Sequence, residues 1–175
     1  MVTEQDKTIA ALKIAIQMEI DGKDYYQKVS QSCQNPVFQD LFHSLAAEED
    51  THRQKFEQIY NGIRQKKAWP ETDFKPDKGK SLRTLFAKVT EELGSMQPPA
   101  SHLDAIQIAM NMENQSYDFY TGQGKGAAYD TEGEFYQTLA GEERHHYLVL
   151  LDYYEYLKDP AGWFVQKERP SLNGG

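Results

Sequence analysis

Four long segments of the chain carry apolar residues in steps of three and four positions, the spacing of amphipathic helices packed in a bundle. In the second segment the predicted buried seam consists of Phe38, Phe42, Leu45, Glu49, His52, Phe56, Ile59 and Ile63. Long helices are therefore predicted at about 3–33, 35–65, 101–121 and 130–158, with a shorter helix at 81–93 that Gly94 stops. Polar residues inside otherwise apolar seams indicate a site in the bundle interior.

Capping and breaking residues mark the ends of these helices. The predicted starts are Thr3 with Asp6, Asn35 before Pro36, Ser101 with Asp104, and Asp130 or Thr131 with Glu134 as the partner in a capping box. We expect Gly122, Gly124 and Gly126 to mark the fraying end of the third long helix, and Asp159–Pro160 to end the fourth. A tail at 159–175 follows, in which Trp163 and Phe164 are expected to cover one end of the bundle.

The connections between the helices predict the topology. Tight turns make two antiparallel helical hairpins, at about 3–65 and 101–158. The crossover between them, at about 66–100, is far longer than a turn requires. It can return along a helix that is roughly 42 Å long at about 1.5 Å per residue. The prediction is an all-α four-helix bundle with one long crossover, folded as a single domain over residues 1–175.

Composition excludes several classes of function. The 175-residue chain carries a net charge of −8, which argues against nucleic acid and anionic membrane surfaces as partners. Its single cysteine, Cys33, excludes an internal disulfide and any cysteine-ligated zinc or iron–sulfur site. The sequence has neither a signal-peptide pattern nor an apolar run approaching about 18 residues. We therefore expect a cytoplasmic protein that does not cross a membrane.

The two predicted hairpins repeat each other at an offset of 94 residues. Residues 15–26 (AIQMEIDGKDYY) align without gaps to residues 109–120 (AMNMENQSYDFY), and residues 45–52 (LAAEEDTH) align to residues 139–146 (LAGEERHH). The pairs that share a metal-ligand type in both copies are Glu19 and Glu113, Glu49 and Glu143, and His52 and His146. The repeat therefore predicts a paired ligand set.

Counting residues from the turns places these glutamates at one height in the bundle. Each lies 15 residues from the centre of its turn, or about 22 Å of helix. A spacing of three residues puts a glutamate and a histidine on one helix face, where both can reach the same ion. Four buried carboxylates would repel each other, and two divalent cations would balance them. Mixed oxygen and imidazole ligands suit iron or manganese. Glu142 with His145 is a rival pair, but the repeat places Thr51 opposite His145, and threonine cannot replace imidazole.

These motifs resemble the rubrerythrin branch of the ferritin-like superfamily. The patterns are E-x-x-G-x-x-Y-Y from Glu19 and E-E-x-x-H from Glu48, then E-x-x-S-x-x-F-Y from Glu113 and E-E-x-x-H from Glu142. The resemblance covers roughly residues 3–158. It implies a ferritin-like bundle with a non-haem di-iron site, in which manganese or a mixed pair is an alternative. It also implies reduction of hydrogen peroxide or dioxygen, as in the response to oxidative stress.

The resemblance also sets expectations about partners. Rubrerythrins carry a cysteine-ligated rubredoxin module, which one cysteine cannot form, so we expect a separate electron donor such as rubredoxin. They also carry an additional glutamate one turn after the third-helix ligand, where this chain has Ser116. A homodimer or a higher homo-oligomer is expected.

Several alternatives stay open at the level of sequence. A ferritin-type ferroxidase that stores iron would need a hollow cage, and a structural bundle would bind no metal. Tyr26 and Tyr120 could hydrogen-bond carboxylates, relay electrons or only pack. Glu48 and Glu142 could support the ligands or lie on the surface. No catalytic residue beyond the metal ligands is predicted.

Overall fold

The computed structural model describes residues 3–66, 69–71, 73–94 and 100–168, so parts of the predicted crossover and tail lie outside the described residues. The described part of the chain forms six helices. They are α1 (Glu4–Ser32), α2 (Pro36–Lys66), α3 (Lys80–Leu93), α4 (Ala100–Lys125), α5 (Asp130–Lys158) and α6 (Pro160–Glu168). Helix α1 packs along α2, and α4 packs along α5, as the two predicted hairpins.

Two of the predicted helix starts are confirmed by their capping bonds. The Thr3 side chain accepts a hydrogen bond from the Asp6 amide, and the Asp6 carboxylate accepts one from the Thr3 amide, which completes a capping box. Asn35 Oδ1 accepts a bond from the Val37 amide at 2.9 Å, and Pro36 is the first residue of α2. Local hydrogen bonding therefore determines where these helices begin.

The capping box predicted for α5 is wrong. The N-cap residue is Tyr129, and its side chain makes no capping bond. Instead, the buried Glu132 carboxylate reaches back and accepts a hydrogen bond from the Ala128 amide at 3.1 Å. The backward-reaching carboxylate predicted at Glu134 is thus supplied by Glu132, two residues earlier.

Two of the three glycines predicted to mark the end of α4, Gly122 and Gly124, lie inside the helix, which continues to Lys125. Gly126 directly follows the last helical residue, and its amide donates a hydrogen bond to the Gly122 carbonyl at 3.2 Å, so the predicted end is confirmed at this position. Gly124 faces α5, where an added Cβ would lie 3.4 Å from the carbonyl oxygen of Gly133, at the limit of ordinary van der Waals contact. Gly122 has open space at the corresponding position. The sequence pattern did not distinguish glycines inside the helix from the glycine that ends it.

The predicted tail contains an additional helix, α6. Asp159 ends α5, and its carboxylate accepts a hydrogen bond from the Gly162 amide at 3.0 Å, with Pro160 at the first helical position. The prediction that Trp163 and Phe164 cover one end of the bundle is confirmed, since both pack against its core. The Trp163 ring centroid lies 5.8 Å from that of Phe86 on α3.

Two hydrophobic cores show the directions of the helices. The first core joins the end of α1, the starts of α2 and α4, the end of α5 and helix α3; its members include Val29, Leu41, Phe86, Ile106 and Leu157. The second core joins the start of α1, the ends of α2 and α4, and the start of α5; its members include Leu12, Ile63, Trp69, Tyr120 and Leu139. Because the starts of α2 and α4 share a core, these helices run in the same direction. The crossover therefore travels the length of the bundle, which is the ferritin-like topology predicted.

No helix in the described part of the chain combines the length and the apolar character that crossing a membrane requires.

Candidate metal centre

A layer of polar side chains separates the two hydrophobic cores. Its members are Glu19, Glu49, His52, Glu113, Glu143 and His146, each at most 3% exposed. Helices α1 and α4 each contribute one glutamate, and α2 and α5 each contribute a glutamate with a histidine one turn later. The structure thus brings together all six residues that the repeat singled out.

The first of two clusters in this layer is centred on His52. The Nδ1 atom of His52 lies 3.5 Å from Glu19, 3.6 Å from Glu49 and 3.1 Å from Glu143, measured to a carboxylate oxygen in each case. One donor atom from each of these four residues lies within 4.8 Å of the others. This spacing is compatible with four ligands around a single cation.

The second cluster is centred on His146. Its Nδ1 atom lies 3.2 Å from Glu49, 3.5 Å from Glu113 and 4.0 Å from Glu143, again measured to carboxylate oxygens. These four residues also place a donor atom each within 4.8 Å of one another. Glu49 and Glu143 belong to both clusters, so two cations held here would share two bridging carboxylates.

The chemistry of the layer fits a pair of cations. Among the buried polar atoms without a hydrogen-bond partner in the described part of the chain, four belong to this layer; they are Glu19 Oε2, His52 Nδ1, Glu143 Oε1 and His146 Nδ1. Buried polar atoms without partners are costly, and metal coordination would satisfy these. The mixture of carboxylate oxygens and imidazole nitrogens is suited to iron or manganese.

Two buried tyrosines orient the outer carboxylates. The Tyr120 hydroxyl donates a hydrogen bond to Glu19 Oε1, and the Tyr26 hydroxyl donates one to Glu113 Oε1. Burial and the adjacent carboxylate raise the pKa of each tyrosine well above its usual value. Each hydroxyl therefore stays protonated and acts as the donor of its hydrogen bond. Each bond occupies one oxygen of a glutamate, while Oε2 of that glutamate approaches a histidine.

The glutamates that precede Glu49 and Glu143 have different partners. Glu48 lies beside the layer, with Oε2 at 2.9 Å from His146 Nε2. Glu142 is buried but turns to the crossover, where it accepts hydrogen bonds from the Asp77 and Lys78 amides at 3.1 and 3.0 Å. His145 lies 3.8 Å from Glu142 and belongs to neither cluster.

Comparison with models of protein families shows the family to which the chain belongs. The model of the Rubrerythrin family matches residues 10–154, which include the whole polar layer. The chain belongs to the rubrerythrin family. Its fold also matches a solved structure described as a hypothetical protein from Pyrococcus furiosus. That match has a TM-score of 0.62 and 20% sequence identity, and it covers 86% of this chain and 90% of the other. At that identity the match shows the shared fold. No curated protein matches the chain.

In the metal-free form of this rubrerythrin-family protein, the side chains of the layer shift one another's pKa values. Burial and the nearby Glu49 carboxylate raise the pKa of Glu19 to about 8. Burial and the charges of Glu49 and Glu19 raise the pKa of Glu143 well above its usual value. Burial alone would lower the pKa of His146, but the charge and hydrogen bond of Glu113 outweigh it and raise that pKa well above normal. Protons therefore take the place of cation charge in the metal-free protein.

An open pocket of about 280 Å³ borders one side of the centre, at the nearly buried His52. It lies between the crossover and helices α2 and α5, and its lining includes His52, Glu48, Phe74 and Glu142. The Phe74 ring stands edge-on to His52, with a centroid distance of 5.7 Å. Neither Phe74 nor the amides of Asp77 and Lys78 was predicted at the site, because the crossover has no periodic pattern from which their placement could be read.

Proposed function

We propose that this rubrerythrin-family protein is a non-haem di-iron oxidoreductase that reduces hydrogen peroxide or dioxygen with electrons from a separate donor such as rubredoxin. One observation carries the proposal: two ligand sets, each of three glutamates and one histidine, share Glu49 and Glu143. Such sharing suits a pair of cations better than two isolated ones. Manganese or a mixed pair would fit the same ligand types.

Glu19 and His52 would hold one cation, and Glu113 and His146 would hold the other. Glu49 and Glu143 would contribute to both ligand sets. Two ferrous ions bound there would supply the two electrons that, with two protons, convert hydrogen peroxide to two molecules of water. The chain itself fixes the ligands, through the hydroxyls of Tyr26 and Tyr120 and the carboxylate of Glu48.

The surroundings of the layer suit small, uncharged oxidants. Apolar side chains above and below it exclude bulk water, and they belong to the first and second cores. The pocket at His52 and Phe74 offers a path from solvent. Hydrogen peroxide and dioxygen are small enough to use such a path, and neither has a charge that burial would penalise.

The experiment combines metal analysis with rapid kinetics. We expect elemental analysis to find two iron ions per chain, and stopped-flow mixing of the reduced, iron-loaded protein with peroxide to show fast oxidation. A parallel arm with dioxygen identifies the preferred oxidant. Glu49→Gln should abolish paired binding and the fast phase, whereas Glu91→Gln, at an exposed position on α3, is the matched control. Absence of stoichiometric metal, or slow oxidation by both oxidants, would contradict the proposal.

Three accompanying expectations stay predictions. A homodimer or a higher homo-oligomer can be tested by native mass spectrometry, in which a large shell would instead favour ferritin-type storage. A rubredoxin-type donor can be tested by its reduction of the ferric protein. A cytoplasmic location agrees with the free thiol of Cys33 and can be tested by cell fractionation.

A further inference from the structure

The two histidines of the centre are related by the repeat, and in each the Nδ1 atom faces the carboxylates of its cluster. The residues on the opposite, outer side of the two rings differ. On the outer side of His146, its Nε2 atom is 2.9 Å from Glu48 Oε2. The repeat counterpart of Glu48 is Glu142, and symmetry would place it behind His52. Glu142 instead accepts hydrogen bonds from two crossover amides at 3.0 and 3.1 Å.

The crossover accounts for this difference. It borders both related positions, since it lines the open pocket together with Glu48 and Glu142. Of these two carboxylates, however, only Glu142 accepts hydrogen bonds from the described crossover amides. Where it passes α5, the amides of Asp77 and Lys78 need acceptors, and the buried Glu142 carboxylate satisfies both. Among the described residues, no crossover amide donates to Glu48, whose carboxylate lies beside His146.

The carboxylate on the outer side of His146 makes the two imidazoles unequal in their strength as metal ligands. When His146 donates its Nε2 hydrogen to Glu48, Nδ1 is left as the acceptor that faces the carboxylates of the second cluster. A carboxylate behind a ligating histidine fixes its tautomer and ring orientation and makes it a stronger ligand. Among the described residues, all ion pairs of His52 are made by Nδ1, and its outer side faces Phe74 and the open pocket.

The charges around the two positions differ in the same direction. Each position is surrounded by three glutamates, of which Glu49 and Glu143 are common to both. The position at His146 has Glu48 in addition, and this carboxylate is only partly exposed. A further negative charge near a divalent cation favours binding at that position.

We propose that the two cation positions are unequal: the position at His146 binds a divalent cation first and more tightly because Glu48 supports the imidazole, and the position at His52 fills second from the pocket. The inference rests on the proposed metal centre and adds an order of filling to it. Glu48 acts here as a positioning residue, through His146.

The test is a titration of the chelator-stripped full-length protein with Mn²⁺, followed by calorimetry and electron paramagnetic resonance. At one equivalent per chain, the wild type should show a mononuclear spectrum. The second equivalent should bind more weakly and produce a spin-coupled pair. His52→Ala should keep the tighter step and lose the weaker one, and His146→Ala should do the reverse.

Glu48→Gln isolates the role of the supporting carboxylate. In the His52→Ala background it should weaken Mn²⁺ binding by about 10–100-fold, the usual effect of losing such a partner. In the His146→Ala background it should change the affinity less than about threefold. Glu142→Gln is the matched control from the repeat and should leave the affinity in the His52→Ala background unchanged. Circular dichroism of each variant verifies folding.

Three results would overturn the inference: equal affinities in the two single-histidine variants, a spin-coupled spectrum at half loading, or equal effects of Glu48→Gln in both backgrounds. If two ions bind with equal affinity and peroxide still oxidises the ferrous protein rapidly, the order of filling is wrong and the proposed function stands. If no Mn²⁺ binds and elemental analysis finds no iron, both are wrong.

Discussion

Glu19 is a buried carboxyl group that should make the metal-free protein less stable at alkaline pH. Burial and the neighbouring Glu49 raise its pKa from 4.5 to about 8, a displacement worth roughly 5 kcal/mol at about 1.4 kcal/mol per unit. Glu19→Gln keeps the shape and stays neutral at every pH. The raised pKa already includes the attraction between the carboxylate and His52. The glutamine amide has one hydrogen more than the protonated carboxyl group, and leaving it without an acceptor costs about 1–3 kcal/mol. The expected net gain in unfolding free energy above about pH 8 is therefore on the order of 2–4 kcal/mol.

The sign of the pH dependence follows from the raised pKa. Below about pH 4.5 the Glu19 proton is bound in both the folded and the unfolded states, and the contribution of this group to stability is fully present. As the pH rises, the unfolded chain releases the proton first, so stability is lost progressively until the folded carboxyl titrates at about 8. The advantage of the glutamine variant should therefore grow between these two values.

Calorimetric or urea-induced unfolding in the presence of a chelator measures the effect. At about pH 8.5, Glu19→Gln should melt roughly 5–10 °C above the wild type, at about 2–4 °C per kcal/mol for a chain of this size. The exposed-site control Glu91→Gln should stay within about 0.5 kcal/mol of the wild type. Saturating Mn²⁺ should reverse the ranking, because glutamine cannot supply the carboxylate ligand. Equal stability of the two proteins at about pH 8.5, or the same gain at about pH 4.5, would refute the reasoning.

Three further predictions test other parts of the structure. Mn²⁺ at about 100 times its Kd should stabilise the stripped protein by about 2.7 kcal/mol per ion, reversibly on chelation, and an unchanged melting temperature would count against metal binding. Tyr120→Phe removes the donor to Glu19 and should weaken Mn²⁺ binding about 10–100-fold by calorimetry, whereas an unchanged affinity would show that this hydroxyl does not position the ligand. Asp159→Ala removes the cap of α6 and should lower the unfolding free energy by about 1 kcal/mol, detected by Trp163 fluorescence during urea unfolding; wild-type stability would refute the capping role.

Most of the centre could be anticipated because helical geometry is local and regular. The three-residue spacing of Glu49 and His52 places them on one face in any α-helix. Duplication in register then puts the second pair at the same height. The alternatives for Tyr26 and Tyr120 could not be separated in this way, because hydroxyl hydrogen bonds depend on distances between hairpins.

The misread glycines and the unexpected helix have different physical causes. Gly122 and Gly124 lie within α4, where Gly124 packs beside Gly133 of α5, and a single sequence does not show which helices approach each other. Asp159–Pro160, in contrast, is the same combination of cap and proline that starts α2 at Asn35–Pro36. The signal for α6 was therefore present in the sequence, although it was read only as the end of α5.

The sequence by itself determined the helices, the long crossover and the six polar positions, because each follows from periodicity, capping residues and an in-register repeat. Only the tertiary structure decided how the two halves of that repeat differ. The crossover borders both halves, but its described amides donate to Glu142, while Glu48 stays beside His146. Nothing in a symmetric pattern of residues could indicate which carboxylate the connecting chain would bind, because that depends on the path of a segment without periodicity.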